Sequence, residues 1–200
     1  MTDYKVPAAP LVFEQVINKS RFIALIARAA NKDQAKDFIS NSNDQHPDAR
    51  HHCWAFIAGH PTATVAIGCN DDGEPSGTAG KPILNVLQHR GIGEIVLVVV
   101  RYFGGIKLGA GGLVRAYSSS ASLAMEKLEV ITLVDSKIFT ITFDYHLENN
   151  IKYLLKTHNI TIRKAGYTTR ISLCIDVPTT DIESLNTALT NISAGQAQLH

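Results

Sequence analysis

The strongest constraint on the fold is a run of six β-branched or leucine residues at positions 95–100. A strand without polar alternation offers no face to water, so we expect this strand to be buried on both faces. It leads into a glycine-rich loop, residues 101–112, and then into a helix predicted from about Gly112 to Lys127. Small side chains between Ala116 and Ser122 give that helix a face that can pack closely against a neighbour.

A second loop, residues 70–82, contains three carboxylates, three glycines and two prolines, without a large apolar side chain. It leads into a short helix predicted at residues 81–88. Loops that join elements of a rigid scaffold are where chains place binding groups. We therefore predict that the acidic loop and the glycine-rich loop converge on one site.

The net charge of the whole molecule is too small to attract a nucleic acid. The 200 residues include 19 basic and 18 acidic side chains, for a net charge of +1, so only a local patch could attract a polyanion. Hydrophobic residues (45%) and charged residues (18%) occur as in soluble globular proteins. The amino terminus does not resemble a signal peptide, and Cys53, Cys69 and Cys174 are scattered, so we expect free thiols in a cytoplasmic protein.

Ahead of the acidic loop, the pattern predicts a hairpin, a helix and two strands. The predicted elements are strands at residues 11–17 and 21–29, a helix that Asn31 caps and that ends near residue 41, and strands at residues 52–58 and 63–69. Ala35, Phe38 and Ile39 form the apolar stripe of the helix.

The remainder of the chain reads as a separate unit, with residues 1–132 as one domain and 133–200 as the other. The second domain shows strands at residues 137–145, 160–164, 168–177 and 196–199, and helices at 147–156 and 180–189. The turn between its second and third strands is expected at residues 165–167. This βαββαβ order predicts a ferredoxin-like domain, and the chain as a whole is assigned to the α+β class.

The three carboxylates Asp71, Asp72 and Glu74 allow two interpretations. Clustered carboxylate oxygens suit Mg²⁺ or Ca²⁺, but no further carboxylate stands at the offset of an EF-hand loop. An Asp-Gly turn with a solvated acidic rim accounts for the same residues. We assign no metal ligand and no cofactor.

Helix starts near the two loops could attract an anion. Ser76 or Thr78 is expected to cap the helix that begins near Lys81, and a helix start beside a lysine attracts negative charge. Gly104 and Gly109 have the spacing of a phosphate-binding P-loop, but the phosphate-gripping lysine is absent. The glycine-rich loop can still present bare N–H groups to phosphate, or it can need glycine for positive φ angles.

The segment Arg50-His51-His52 precedes a predicted strand. Neighbouring strand residues point to opposite faces, so the two histidines cannot both bind one ion from regular β geometry. A histidine catalyst also needs a partner within hydrogen-bond reach, which the sequence does not identify. We assign no catalytic residue.

Positive charge and aromatic rings coincide between residues 78 and 118. Five basic residues stand there against one acidic residue, Glu94, with Tyr102, Phe103 and Tyr117 among them. This combination suits single-stranded RNA, which is bound by phosphate attraction and base stacking. Arg101 could alternatively form an ion pair with Asp71 or Asp72. The predicted binding residues are Arg50, His51, His52, Asp71, Asp72, Glu74, Ser76, Thr78, Lys81, Arg101, Tyr102, Gly104, Gly105, Lys107, Gly109, Gly111, Gly112, Arg115 and Tyr117.

Two long motifs resemble the hallmarks of the YigZ/IMPACT family: DDGEPSGTAGKP at residues 71–82 and VVRYFGGIKLGAGGLVRAY at residues 99–117. Residues 51–53 and 7–22 match as well, so the resemblance spans the chain. It implies an N-terminal domain similar to domain IV of elongation factor G and a ferredoxin-like C-terminal domain. Eukaryotic relatives regulate translation by competing for the activator of a starvation-sensing kinase, with the help of an additional RWD module.

Three hypotheses about function follow. In the first, the chain is a translation-associated protein without catalysis that binds RNA or ribosomes: Lys81, Arg101, Lys107 and Arg115 contact phosphates, and Tyr102 and Tyr117 stack on bases. In the second, it is a phosphate- or metal-dependent enzyme acting on a small metabolite, with Mg²⁺ on Asp71, Asp72 and Glu74 and a proton shuttle at His51 or His52. In the third, it regulates a translation-related protein by direct contact.

Overall fold

The computed structural model describes residues 3–62 and 66–200, which form two compact units. The first unit is Tyr4–Leu133, and the second is Val134–His200 together with Asp3. Each combines helices with antiparallel sheet, so the prediction of a mixed fold is confirmed. In the described part of the chain, no helix has the length and apolar character needed to cross a bilayer.

The first unit is built on a five-stranded antiparallel sheet in the order β2-β3-β6-β4-β5, beside a separate β1-β7 ribbon. Its strands are β1 (Tyr4–Pro7), β2 (Leu11–Ile17), β3 (Ser20–Arg28), β4 (His51–Ile57), β5 (Ile67–Asn70), β6 (Ile95–Tyr102) and β7 (Val130–Leu133), and its helices are α1 (Lys32–Gln45), α2 (Gly80–Arg90) and α3 (Gly109–Lys127). The predicted buried strand is confirmed as β6, at the centre of the sheet. Leu97 and Val99 pack beneath α2 and α3, whereas Val98 and Val100 pack on the opposite face against α1.

The predicted amino-terminal elements are confirmed with one change of length. β2 and β3 pair through a two-residue turn, Asn18 and Lys19, whose φ angles of 46° and 63° suit the twist of a hairpin. Asn31 caps α1 by accepting the Gln34 N–H at 2.9 Å. The predicted end of α1 near residue 41 is wrong, because the buried Ser42 donates to the Phe38 carbonyl at 2.8 Å and the helix continues to its end at Gln45.

Around the two loops, the observed elements lie close to the predicted ones. β5 pairs with β4 from Ile67 onward, and the part of the prediction on residues 63–65 lies outside the described residues. α2 buries Ile83, Leu84 and Leu87, as expected. α3 begins at Gly109, three residues before its predicted start, although glycine has a low helix propensity. Its buried small residues, among them Ala116, Ser120 and Ala121, face the core.

The second unit has a three-stranded antiparallel sheet in the order β8-β10-β9. Its elements are β8 (Ser136–Phe143), α4 (Glu148–Thr157), β9 (Thr161–Tyr167), β10 (Ile171–Pro178) and α5 (Ile182–Ile192). The predicted turn at residues 165–167 is wrong: β9 extends through Tyr167, and Thr168 N–H closes the turn on the Arg170 carbonyl at 3.1 Å. The expected strand at residues 196–199 is not formed. Instead, the terminal His200 exchanges two backbone hydrogen bonds with Thr140 of β8, at 2.8 and 3.1 Å.

Candidate functional site

The acidic loop and the glycine-rich loop line one cavity of about 260 Å³ in the first unit. The lining residues are Glu74, Pro75, Arg101, Phe103, Lys107, Leu108, Gly109, Ala110 and Leu113. The structure therefore brings together the two segments that the sequence singled out, although they are some thirty positions apart in the chain.

A buried ion pair joins the loops. Arg101 at the end of β6 donates from Nη1 to Glu74 Oε1 at 2.7 Å, and the two side chains are only 7% and 4% exposed. Tyr117 of α3 donates to the same carboxylate oxygen at 2.8 Å. The expected pairing of Arg101 with Asp71 or Asp72 is wrong, because Glu74 is the carboxylate buried against this face of the sheet.

The guanidinium of Arg101 lies close to two aromatic rings. Its carbon is 5.5 Å from the ring centre of Phe22 and 5.6 Å from that of Phe103, distances at which a cation interacts with the π face. Nη2 donates to Ser20 Oγ at 3.4 Å. Nε is buried and has no hydrogen-bond partner among the described residues, although a buried donor normally requires one.

Asp71 holds the acidic loop against the start of α2. Its carboxylate accepts the N–H groups of Gly77, Ala79 and Gly80 at 2.8, 2.9 and 2.8 Å. The capping predicted for Thr78 or Ser76 is therefore wrong. Thr78 donates to the Pro75 carbonyl at 2.6 Å, and Ser76 is exposed. Partial burial would raise the pKa of Asp71, but the three amide hydrogen bonds outweigh it and hold this pKa below its ordinary value.

Asp72 and the two histidines join the same loop to β4. Asp72 Oδ2 accepts the backbone N–H of His52 at 2.6 Å, and its carbonyl accepts a hydrogen bond from His51 Nδ1 at 2.8 Å. The His52 side chain lies on the other face of the sheet from that of His51, and its Nε2 donates to the His46 carbonyl at 3.2 Å. The imidazoles thus make structural hydrogen bonds to main-chain carbonyls. Arg50, just before β4, is exposed.

Cys53 continues the buried network beneath the loops. Its thiol lies 2.9 Å from the Asp71 carbonyl and 3.3 Å from the Tyr117 hydroxyl, and it donates to one or the other. Burial raises the pKa of the Cys53 thiol, and burial together with the neighbouring Cys53 and Glu74 raises that of the Tyr117 phenol. Both groups therefore stay neutral at physiological pH.

The carboxylates do not form a metal site. Asp71 binds amides, Asp72 binds the backbone of β4, and Glu74 binds Arg101 and Tyr117. Within residues 3–62 and 66–200, no group of three or more His, Cys, Asp or Glu side chains is placed to hold a metal ion. The hypothesis of Mg²⁺ on these three residues is therefore contradicted.

Neither of the two tyrosines that were expected to stack on bases lines the cavity. Tyr117 is completely buried, and Tyr102 lies on the α1 face of the sheet, 3.1 Å from His46 Nδ1. Phe103 is the aromatic residue that lines the cavity, and the residue is 49% exposed. The two-residue alternation of an extended chain carries the signal that would have found it, because Phe103 follows Arg101 by two positions, directly after the end of β6.

Apart from Arg101, the predicted cations and glycines that line the cavity are Lys107 and Gly109. Lys107 is exposed and lines it, whereas Arg115 lines an adjoining cavity of about 320 Å³. Lys81 is exposed in the first turn of α2. Among the glycines, Gly105 and Gly109 adopt positive φ angles, Gly104 packs against the β2–β3 turn, and Gly111 and Gly112 lie in the first turn of α3.

Two protein-family models match this chain, one within each unit. The family model "Impact N-terminal domain" matches residues 18–125, and "Domain of unknown function (DUF1949)" matches residues 141–196. An "IMPACT family member" of Haemophilus influenzae is 41% identical over 98% of this chain and 95% of its own length. The chain belongs to the IMPACT family.

Further similarities cover the whole chain of this IMPACT family member. "IMPACT family member YigZ" of Escherichia coli is 39% identical over 100% of the chain and 98% of its own length. A solved structure described as "Crystal structure of an hypothetical protein" has 38% identity and a TM-score of 0.71, covering 100% of this chain and 97% of that one. All residues that line the 260 Å³ cavity fall within the Impact N-terminal match.

In this family member, the substitution Asp71→Asn is expected to lower stability at neutral pH by about 1–2 kcal/mol, since it removes a charge-assisted acceptor and a helix cap. The folded-state pKa of Asp71 lies below its ordinary value of 3.8, so its ionisation adds stability above that value. This contribution disappears as the pH falls through the folded-state pKa. Urea unfolding between pH 3 and pH 7 should show the difference between wild type and variant shrinking toward acid. A difference that stays constant with pH would contradict the assignment.

Proposed function

We propose that this IMPACT family member is a translation-associated protein that binds single-stranded RNA, free or within the ribosome, without catalysis. The finer assignments of fold belong to the same proposal: a domain IV-like first unit and a ferredoxin-like second unit. Support for the latter comes from the β8-β10-β9 order, the helices α4 and α5, and the pairing of His200 with Thr140 beside β8.

The observation that carries the proposal is the surface around the start of α3. Lys19, Lys107 and Arg115 are exposed there and have no acidic partner in the described part of the chain. They come from the β2–β3 turn and the glycine-rich loop, which are in contact where Gly104 packs against the backbone of Lys19. Unpaired cations beside an exposed ring suit RNA, whose phosphates are attracted while a base stacks on Phe103.

Arg101 adds little net charge to this surface. Because Glu74 neutralises its charge, Arg101 contributes little to the long-range attraction of a polyanion. The attraction then depends on Lys107, Arg115 and Lys19.

Several reactive groups near the site already make structural bonds. Asp71 and Asp72 bind backbone amides, and His51 binds a backbone carbonyl. Burial holds the Cys53 thiol neutral, so it is a weak nucleophile. These contacts favour a binding protein over an enzyme that acts through these side chains.

The double substitution of Lys107 and Arg115 by alanine is expected to weaken binding to single-stranded RNA by tenfold or more. Each lost phosphate contact lowers the slope of log K against log salt by about 0.7, so the slope should fall by about 1.4. Fluorescence anisotropy with a short labelled RNA, at several salt concentrations, measures both values.

A matched control removes two exposed lysines, Lys32 and Lys36, from α1 on the opposite face of the sheet. Alanine at both positions causes the same loss of charge and should leave the affinity within about twofold, because α1 is outside the proposed surface. Equal losses in both variants, or binding that does not respond to salt, would contradict the proposal.

A further inference from the structure

We propose that the cavity beside Phe103 binds a phosphate monoester, the doubly charged terminal phosphate of a ligand, at the start of α3. This inference deepens the proposed function and rests on it for one source of the ligand, because an RNA chain can carry such a group at its 5′ end. A small phosphorylated metabolite carries the same group.

The first support is the start of α3 itself. This helix has 19 residues, no side-chain cap and no acidic residue in its first turn. The first four N–H groups of a helix have no partner within it, and together they act as about half a positive charge. Gly109 and Ala110 line the cavity, so small residues bring the first turn of the helix to its wall. A helix start of this kind binds phosphate oxygens.

The second and independent support is Arg101. Only 6% of this residue is exposed, it lines the same cavity, and its Nε–H has no hydrogen-bond partner among the described residues. The Glu74 bond engages Nη1 and leaves Nε unused. Nε itself is buried, so an oxygen in the cavity reaches this donor only when the Arg101 side chain shifts; arginine donors match the geometry of phosphate oxygens.

At the start of α2, the protein supplies the anion from one of its own side chains. There, the carboxylate of Asp71 accepts the N–H groups of Ala79 and Gly80. The start of α3 has no corresponding carboxylate, since Glu74 is bound to Arg101 and Tyr117. We expect an external anion to accept the N–H groups at the start of α3.

Charge and size favour a monoester over an internal phosphodiester. Lys107 supplies one positive charge and the helix start about half of one, while the Arg101–Glu74 pair is neutral overall. A phosphate monoester carries up to two negative charges at neutral pH, and a diester carries one. The volume of 260 Å³ lies below the range of about 300–1,000 Å³ that is usual for whole drug-sized ligands, so a terminal group fits better than an entire nucleotide.

The test follows the backbone amide signals of residues 109–112 by NMR while inorganic phosphate is added. We expect shifts that saturate, that are lost in Lys107→Glu, and that persist in Lys36→Glu, a control with the same change of charge on α1. Dimethyl phosphate, a diester analogue, should shift the same signals at least tenfold more weakly. No shift with phosphate, or equal shifts with dimethyl phosphate, would overturn the proposal even if the protein binds RNA.

Two RNAs of one sequence, with a 5′ phosphate and with a 5′ hydroxyl, identify the source of the group. A tenfold preference for the phosphorylated RNA, lost in Lys107→Glu, supports the RNA end as the ligand. Phosphate-induced shifts without that preference support a small phosphorylated metabolite in the same cavity. Shifts without any binding to RNA would keep the phosphate site and refute the proposed RNA function, so the two failures are distinguishable.

Discussion

Replacing Glu74 by alanine is expected to lower the free energy of unfolding by about 3–5 kcal/mol, because it leaves the charge of Arg101 buried without its partner. The side chains of both residues are almost inaccessible, at 4% and 7% exposure. The same substitution removes the acceptor of the buried Tyr117 hydroxyl. Urea denaturation of the variant at pH 7 measures the effect.

An exposed ion pair in the same unit provides the control. Glu14→Ala breaks the pair with Arg21, which lies on the surface, and should change stability by no more than about 1 kcal/mol. In the double variant Glu74→Ala/Arg101→Met, the buried charge is removed along with its partner, so the loss should be smaller than the sum of the two single losses. A Glu74→Ala variant as stable as Glu14→Ala would show that Arg101 reaches water.

The second large effect is expected for Gly104→Ala, which should destabilise the protein by about 3 kcal/mol or prevent folding. A Cβ at this position would lie 1.9 Å from the carbonyl carbon and oxygen of Lys19 and 2.4 Å from the Ser20 nitrogen. These are backbone atoms of a tight hairpin turn, so they cannot move aside as a flexible side chain would. Thermal and urea unfolding would measure the loss.

Gly111→Ala is the matched glycine control. Its added methyl group would lie 3.5 Å from Nη1 of Arg115, an ordinary contact with a flexible side chain, and Gly111 is helical. Alanine favours a helix over glycine by up to about 1 kcal/mol, so this variant should be as stable as wild type or slightly more stable. If Gly104→Ala behaved in the same way, the β2–β3 turn would not be held against the glycine-rich loop as described.

Much of the first unit follows from short-range patterns in the sequence. Six consecutive apolar residues determine β6, the Asn18-Lys19 turn determines the hairpin, and Asn31 marks the start of α1. Each of these signals depends on neighbours in the chain, which is why it can be read without a structure. The convergence of the two loops was also predictable, because each loop joins a strand to a helix.

The partners inside the site could not be read from the sequence. Three carboxylates stand within four positions, and only the fold decides that Glu74 turns inward while Asp71 reaches the amides at the start of α2. The burial of Tyr117 depends on the rotation of α3 against the sheet, which helical periodicity alone does not fix for a helix of mostly small residues. The wrong turn in the second unit has a similar cause, since β9 continues through residues that suit a turn equally well.

The side chains of the last two residues of β6 lie on opposite faces of the sheet. Arg101 faces the cavity under α3, and the next residue, Tyr102, meets His46 on the α1 side. A strand has a side-chain period of two, so shortening or lengthening it by a single position would exchange these environments. The guanidinium would then replace the phenol beside the imidazole, and Glu74 would lose its counter-charge. The spacing of this segment is therefore under tighter constraint than most of its individual side chains, and natural variation here should take the form of replacements and not of insertions or deletions.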